Sequence, residues 1–251
     1  MSAPRTEIIA TRPATEADVP AVTRIFGRAF DDYRRGFGVD AATLGTLWEE
    51  SLAARVEATT VAVVPSQGRG AAVAGPAPAG APAGGAAETV VGFVITVRPG
   101  ARERYRRRRS TVNRRGASWW RVLGPWRIWR LPAFFLPMGA AYARRKQARD
   151  ELYISLIAVD PDHQGQGIGR ALLAAAEAEA RAVGAVAVLL HTASTNTTAR
   201  AAYARAGYDL VCAVRAPWPG PAGIPVYLAL RKPLGPEPAP RIEALSAPHT
   251  D

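Results

Sequence analysis

Hydrophobic and polar positions along the chain repeat with two different periods, and each change of period marks a predicted element. Residues 6–12 are typical of a short strand, and Thr15 with Asp18 three positions later resembles a capping box that begins a helix. The apolar positions that follow recur at helical spacing: Val19, Val22, Ile25, Phe26 and Phe30. A second helix is predicted over 41–57, and β-branched residues predict a strand over 59–64.

The second half of the chain alternates between strand and helix patterns. Strands are predicted over 89–97, 152–159, 186–191, 208–214 and 224–231. Helices are predicted between them, over 167–183 and 196–206. This order favours a mixed α/β fold around one central sheet.

Two segments interrupt the pattern. Residues 65–88 are almost entirely Ala, Gly and Pro, which cannot bury enough side chain to offset the entropy of ordering the backbone. We expect a disordered loop inside one hairpin there, and a domain boundary is the alternative. Residues 100–149 mix arginines with aromatics, and three prolines predict short helices instead of one long one. We predict a single domain over 1–234 and a disordered tail over 235–251.

Charge and cysteine content narrow the function classes. The net charge of +11 comes from residues 102–149, which carry +14 while the remaining chain carries −3. The positive charge is therefore confined to one segment and does not indicate a nucleic-acid-binding surface over the rest of the molecule. The lone cysteine, Cys212, excludes an internal disulfide and a cysteine-rich metal site, and no metal is expected. The first residues lack a signal-peptide pattern and 131–143 is too short to span a bilayer, so we expect a cytoplasmic protein.

A glycine-rich turn joins the strand at 152–159 to the helix at 167–183. Gly165, Gly167 and Gly169 allow close approach of a ligand to the backbone, and the N–H groups of the first helical turn favour a diphosphate. A P-loop would need Gly-Lys-Ser/Thr, and the dinucleotide fingerprint spaces its glycines differently. A turn that serves only close packing of strand and helix is the alternative.

Residues 164–169, Gln-Gly-Gln-Gly-Ile-Gly, resemble the Q/R-x-x-G-x-G/A acyl-CoA signature of GNAT acetyltransferases. The stretch Val-Asp-Pro-Asp-His-Gln-Gly-Gln-Gly at 159–167 and the insertion are similar to those of antibiotic N-acetyltransferases of the puromycin acetyltransferase kind. The resemblance implies the GNAT fold, a twisted and mostly antiparallel sheet with splayed parallel strands at the cofactor site and helices on both faces. It also implies acetyl-CoA as co-substrate.

The resemblance further implies roles for individual residues. The backbone N–H of Ile157 would donate to the acetyl oxygen, and Ala158 and Val159 would lie along the pantetheine arm. The turn residues that would hold the rest of the cofactor are Gln164, Gly165, Gln166, Gly167, Ile168, Gly169 and Arg170. Tyr203 would bind the sulfur and protonate the departing thiolate, although simple packing is the alternative. Asn196 caps its helix, contacts the cofactor, or does both.

Two residues are candidates for the general base that takes the proton of the attacking ammonium. Strict alternation along the strand would place Glu151, Tyr153, Ser155 and Ile157 on one face, so Glu151 would face the acetyl oxygen donor. His191 ends the neighbouring strand, and an imidazole titrates in a suitable range. The alternatives are a solvated glutamate and a strand-end histidine without a catalytic role, and His163 is expected to be exposed.

The basic aromatic insertion at 100–149 admits three interpretations: a lid over the acceptor, a patch for anionic membrane or nucleic acid, and a solvated loop. The lid is favoured because four of the six tryptophans lie there. We therefore predict that Trp119, Trp120, Phe134 and Phe135 pack toward the acceptor cleft while residues 106–109 stay solvated. The expected function is transfer of an acetyl group to a primary amine of a small molecule. Acetylation of a protein amine and a non-catalytic GNAT-fold module are the alternatives, and the oligomeric state is not predicted.

Overall fold

The structure, a computed structural model, describes residues 9–65, 88–101, 123–127, 129–218 and 220–235. Its strands are β1 (Ala10–Pro13), β2 (Thr59–Pro65), β3 (Glu88–Val97), β4 (Glu151–Val159), β5 (Ala187–Ala193), β6 (Asp209–Arg215) and β7 (Val226–Pro233). Its α-helices are α1 (Val19–Ala29), α2 (Asp31–Phe37), α3 (Ala41–Ala53), α4 (Arg130–Arg144), α5 (Ile168–Ala182) and α6 (Thr197–Arg205).

One seven-stranded sheet organises these elements, in the order β1-β2-β3-β4-β5-β7-β6. Neighbouring strands are antiparallel except β4 and β5, which run parallel in the centre. Helix α5 crosses from β4 to β5, as a parallel pair requires. The mixed α/β fold with a mostly antiparallel sheet is confirmed.

The sheet carries a separate hydrophobic core on each face. On one face α1 and α3 pack their apolar side chains, such as Phe26 and Leu44, against strand residues that include Phe93 and Ile95. On the other face α5 packs Leu172 and its neighbours against the opposite side of the same strands. Helices α1 to α4 therefore cover one face of the sheet, and α5 and α6 cover the other.

Helix α2 was not predicted from the sequence. Its seven residues, Asp-Asp-Tyr-Arg-Arg-Gly-Phe, are too few to show a 3.6-residue hydrophobic repeat. Packing stabilises it, because Gly36 and Phe37 are buried against the rest of the first core. It ends at Gly38, which has a left-handed φ of 67° that favours glycine.

Helix α4 corrects the prediction that prolines divide the insertion into short helices. Its fifteen residues include Pro137 in the interior, where the ring removes one backbone donor. The carbonyl oxygen of Ala133, the acceptor that this donor would have used, lies against Gly220, where a Cβ would come within 3.0 Å of it. The loop at Gly220 can therefore approach α4 closely at the turn where the helical hydrogen bond is missing.

Several predicted features lie outside the described residues. These are the loop over 66–87, the arginine-rich part of the insertion over 102–122 and the tail from residue 236. Among the residues that the structure describes, no helix combines the length and the apolar character needed to cross a membrane.

Candidate active site

Strands β4 and β5 separate at the centre of the sheet. Their parallel ladder covers four pairs, from Glu151 with Ala187 to Ile154 with Leu190. Strand β4 continues to Val159 and stays paired there with β3, whose Gly92 is its partner. The β4 edge beyond Ile154 therefore diverges from β5, which creates a gap that an extended ligand can enter by pairing with the strand.

A β-bulge in β4 corrects the predicted alternation of its side chains. Ile95 of β3 pairs with Leu156 and Thr96 pairs with Ile154, so Ser155 is the extra residue on β4. Leu152 and Ile154 consequently share the α5 face with Ile157 and Val159. Glu151 and Ile157 therefore lie on opposite faces of the sheet, which corrects the prediction that Glu151 faces the acetyl oxygen donor.

The glycine turn begins α5 directly opposite this gap. Gly165 has φ 80° and Gly167 has φ 87°, conformations that a residue with a Cβ rarely adopts. The first helical hydrogen bond runs from the Ala171 N–H to the Gly167 carbonyl at 3.1 Å, so the preceding N–H groups have no helical acceptor. Gln164, Gln166 and Arg170 are exposed around them, whereas Ile168 is buried beneath. The turn thus presents unpaired donors and one cation to an anionic ligand.

Asp160, at the end of β4, anchors this turn to α1. Its carboxylate is 1% exposed and accepts hydrogen bonds from Arg24 at 2.7 Å and from Arg28 at 2.8 Å. Its backbone N–H also donates to the Val91 carbonyl at 2.8 Å. Arg28 extends the network to the exposed Asp162 at 2.9 Å. The two arginines lie four residues apart on α1, a spacing that places them on one side of the helix.

Tyr203 lies in the core that also contains the glycine-turn helix. It is 8% exposed, and the same hydrophobic cluster includes Ile157 and Val159 on the diverging part of β4. Burial raises the pKa of the Tyr203 hydroxyl from 10.0 to about 12, because the charged phenolate is disfavoured in this core. Asn196 begins the same helix and accepts a hydrogen bond from the Ala199 N–H at 3.2 Å, which makes it the N-cap of α6.

Glu151 lies at the start of β4 and is saturated with donors. Its carboxylate is 2% exposed and accepts from Arg145 at 2.6 Å, from Arg231 at 2.7 Å and from the Ala148 N–H at 2.9 Å. Burial alone would raise the pKa of Glu151, but these hydrogen bonds and the arginine charges outweigh it and lower the pKa. A carboxylate held in its charged form in this way is a poor proton acceptor.

His191 lies at the opposite end of the four-pair ladder, among tyrosines. Its Nδ1 lies 3.3 Å from the Tyr153 hydroxyl. The ring of Tyr142, from α4, lies over the imidazole with centroids 4.3 Å apart and planes inclined by 33°. Tyr227 of β7 contacts Tyr142 edge-on at 6.2 Å. His191 is half-buried and lies with its tyrosine neighbours on the α4 face of the sheet, where β4 and β5 begin to separate. His163 lies elsewhere, in the glycine turn.

The described part of the insertion divides into packed and exposed aromatics. Phe134 is 2% exposed and packs against Phe37 and Tyr33 of α2, with ring centroids 4.8 and 4.9 Å apart. Phe135 joins the same cluster. Trp126 is 88% exposed. Trp119, Trp120 and residues 106–109 lie outside the described residues.

Residues 120–208 match the model of the acetyltransferase (GNAT) family. This segment, about a third of the chain, is therefore similar to GNAT acetyltransferases. Mycothiol acetyltransferase of Cellulomonas flavigena is 42% identical over 77 residues, which are 31% of this chain and 22% of that protein. The ribosomal protein bS18-alanine N-acetyltransferase of Escherichia coli is 37% identical over 70 residues, or 28% of this chain and 47% of the relative. The matches thus span less than half the length of these two relatives.

The GNAT fold extends beyond the matched segment. A solved structure of an agmatine N-acetyltransferase superimposes with a TM-score of 0.56 at 16% identity, covering 90% of this chain and 99% of that one. The seven-stranded sheet and its helices therefore follow the GNAT architecture over most of the described residues, and this confirms the expected fold.

Two residues of the site were not singled out as candidates by the sequence analysis. Tyr153 appeared there only as a position in an alternating strand, and Tyr142 was not named in the insertion. Tyr142 meets His191 across 49 positions of chain, and no local pattern marks such a pair. The signal that was available is composition, since large aromatics in a polar insertion usually find a packing partner.

Proposed function

We propose that this protein transfers an acetyl group from acetyl-CoA to a primary amine of a small molecule by direct attack. The observation that carries the proposal is the gap between β4 and β5, which opens opposite the glycine turn that begins α5. An extended thioester arm fits the gap, and a diphosphate fits the turn. The GNAT domain match supports the same co-substrate.

Acetyl-CoA supplies the activated acyl group when it is bound, and the protein supplies donors and acceptors around it. The Ile157 N–H would donate to the acetyl oxygen, and Ala158 and Val159 would line the arm along the diverging strand. The turn residues 164–170 would hold the diphosphate, with Asn196 at the neighbouring helix start. Donors placed where negative charge develops stabilise the transition state of acyl transfer.

Proton transfer is assigned to two polar groups, one buried and one half-buried. Tyr203 lies in one cluster with Ile157 and its phenol is protonated at neutral pH, so it can supply a proton to the departing thiolate. His191, whose Nδ1 contacts the Tyr153 hydroxyl, is assigned as the general base that takes the proton of the attacking amine. Glu151 is left out of this assignment because its carboxylate is saturated by donors.

A small acceptor is favoured over a protein amine by the position of α4. This helix places Tyr142 over His191, next to the point where β4 and β5 separate. One relative is named for a protein alanine and another for mycothiol, so both acceptor classes belong in the test.

The co-substrate assignment is tested by Gly167→Asp with Gly184→Asp as the matched control. Both glycines have a positive φ, 87° and 72°, and a Cβ at either position meets nothing within 4 Å. The two variants therefore carry similar backbone strain, but only Gly167 lies at the proposed diphosphate site. We expect calorimetry to show that Gly167→Asp abolishes acetyl-CoA binding and that Gly184→Asp retains it. Equal affinity in the two folded variants would refute the assignment.

Transfer itself is measured as thiol release from acetyl-CoA in the presence of small amines or of peptides with a free N-terminus. We expect turnover with small amines. Turnover with peptides alone would reassign the acceptor to proteins. Acetyl-CoA binding without turnover for either class would favour the non-catalytic alternative.

A further inference from the structure

Three tyrosines lie in one hydrophobic cluster on the face of the sheet that also carries His191. They form what we call the tyrosine wall: Tyr33, Tyr142 and Tyr227. The Tyr33 hydroxyl lies 3.9 Å from the sulfur of Met138, which lies one helical turn before Tyr142 on α4. Tyr227 pairs across the sheet with Ala193, so it lies diagonally next to His191 on the same face. The wall therefore extends from α2 to the proposed proton acceptor.

Asp32 places a carboxylate at the far end of this wall. It precedes Tyr33 on α2, and its side chain is only 23% exposed although it belongs to a short surface helix. Burial raises the pKa of Tyr227 to about 12, and the charges of Tyr33 and Asp32 act in the same direction. Gly36 lies one helical turn after Asp32 on the same side of α2 and packs directly against the ring of Phe134, so Asp32 lies on the side of α2 that faces α4.

The present partner of Asp32 compensates its charge only in part. Arg35, three residues later on the same helix, pairs with it, but the arginine side chain is 57% exposed. Burial raises the pKa of Asp32 above its ordinary value even though Arg35 acts in the opposite direction. An exposed pair of this kind contributes little, so Arg35 can turn to solvent when another cation approaches.

The reacting nitrogen of an acceptor is not the group that Asp32 suits. A nucleophilic amine must lose its proton, and a carboxylate beside it would stabilise the protonated ammonium instead. A carboxylate separated from His191 by a row of aromatic rings is suited to a cation that stays charged, because tyrosine faces also attract cations. We propose that Asp32 and the tyrosine wall form a subsite for a second, non-reacting cationic group of the acceptor. This inference rests on the proposed function and specifies its substrate class.

The test compares diamines with monoamines on the intact protein saturated with CoA. The probes are α,ω-diaminoalkanes of four to eight carbons, each paired with the monoamine of equal length, and binding is measured by calorimetry at constant ionic strength. The variant is Asp32→Asn. Its matched control is Asp31→Asn, because Asp31 also pairs with an arginine three residues later on α2 but its side chain is 62% exposed.

We expect the best diamine to bind at least about tenfold more tightly than its monoamine, as a partly buried ion pair warrants. Asp32→Asn should abolish the difference and Asp31→Asn should preserve it. In the unsubstituted protein, salt should reduce the diamine preference, which tests the charge without any change to the fold. Equal binding of diamines and monoamines at every length, a salt-independent preference, or a preference that survives Asp32→Asn would overturn the proposal. If diamines bind with this preference but none is acetylated, the subsite stands and the proposed transfer fails.

Discussion

Replacing Glu151 by alanine is expected to destabilise the protein far more than replacing an ordinary surface glutamate. The substitution removes a carboxylate that is 2% exposed and leaves two arginines and the Ala148 N–H without this acceptor. Breaking a buried ion pair costs about 3–5 kcal/mol. The side chains of Arg145 and Arg231 are 26% and 15% exposed and can recover some hydration, so we expect a loss of about 3 kcal/mol, near the lower limit.

The measurement is urea unfolding followed by tryptophan fluorescence, with Glu88→Ala as the control. Glu88 also pairs with an arginine, Arg12 at 3.0 Å, but its side chain is 47% exposed. A surface pair contributes less than about 1 kcal/mol, so the control should change the free energy of unfolding little. For a chain of this size, the Glu151 variant should melt roughly 6–12 °C lower. Similar losses for the two variants would refute the description of Glu151 as a buried structural anchor.

The lowered pKa of Glu151 gives this prediction a dependence on pH. A carboxyl group whose pKa is lower in the folded than in the unfolded protein stabilises the fold when it is ionised in both states. Its contribution should therefore be complete above the ordinary glutamate pKa of 4.5 and be lost as the pH falls through the lowered value. The stability difference between the unsubstituted protein and Glu151→Gln should consequently be constant from pH 6 to 8 and decrease below about pH 4.5.

Three further substitutions test the assigned roles. Tyr203→Phe should lower turnover by about ten- to ten-thousandfold with little change in acetyl-CoA affinity, whereas Tyr208→Phe, a buried tyrosine 6.2 Å away between ring centroids, should retain turnover. His191→Asn should lower kcat/KM by about a hundredfold or more and remove the acidic limb of its pH profile; an unchanged profile would exclude His191 as the base. Phe134→Ala should cost about 3–5 kcal/mol in urea unfolding because the ring is 2% exposed, and a loss below 1 kcal/mol would contradict the described packing of α4.

The strands and the helices other than α2 and α4 were predictable from sequence to within a few residues because each carries its own periodic signal. Helix α5, predicted over 167–183, spans Ile168–Ala182. The bulge at Ser155 was not predictable in the same way, because a bulge is a property of two paired strands and β3 contributes half of it. Because of this one extra residue, Glu151 and Ile157 lie on opposite faces of the sheet.

The same distinction applies to the site: features set by consecutive residues were predictable, and contacts between distant residues were not. The glycine turn was visible because its function depends on consecutive residues that need a positive φ or close approach. The environment of Glu151 was not visible, because Arg231 comes from a strand 80 positions later. The contact of Tyr142 with His191 likewise depends on how the insertion folds back over the sheet.

Helix α4 is anchored near both of its ends, at positions far from the support of the glycine turn. Phe134 holds the first half of α4 in the aromatic core, and Arg145 holds its end to Glu151. Tyr142 lies between these two anchors and over His191. The glycine turn, in contrast, is held from α1 through Asp160. Loosening the Glu151 anchor should therefore raise KM for the amine and leave acetyl-CoA affinity unchanged, because the two sites are supported by different parts of the chain.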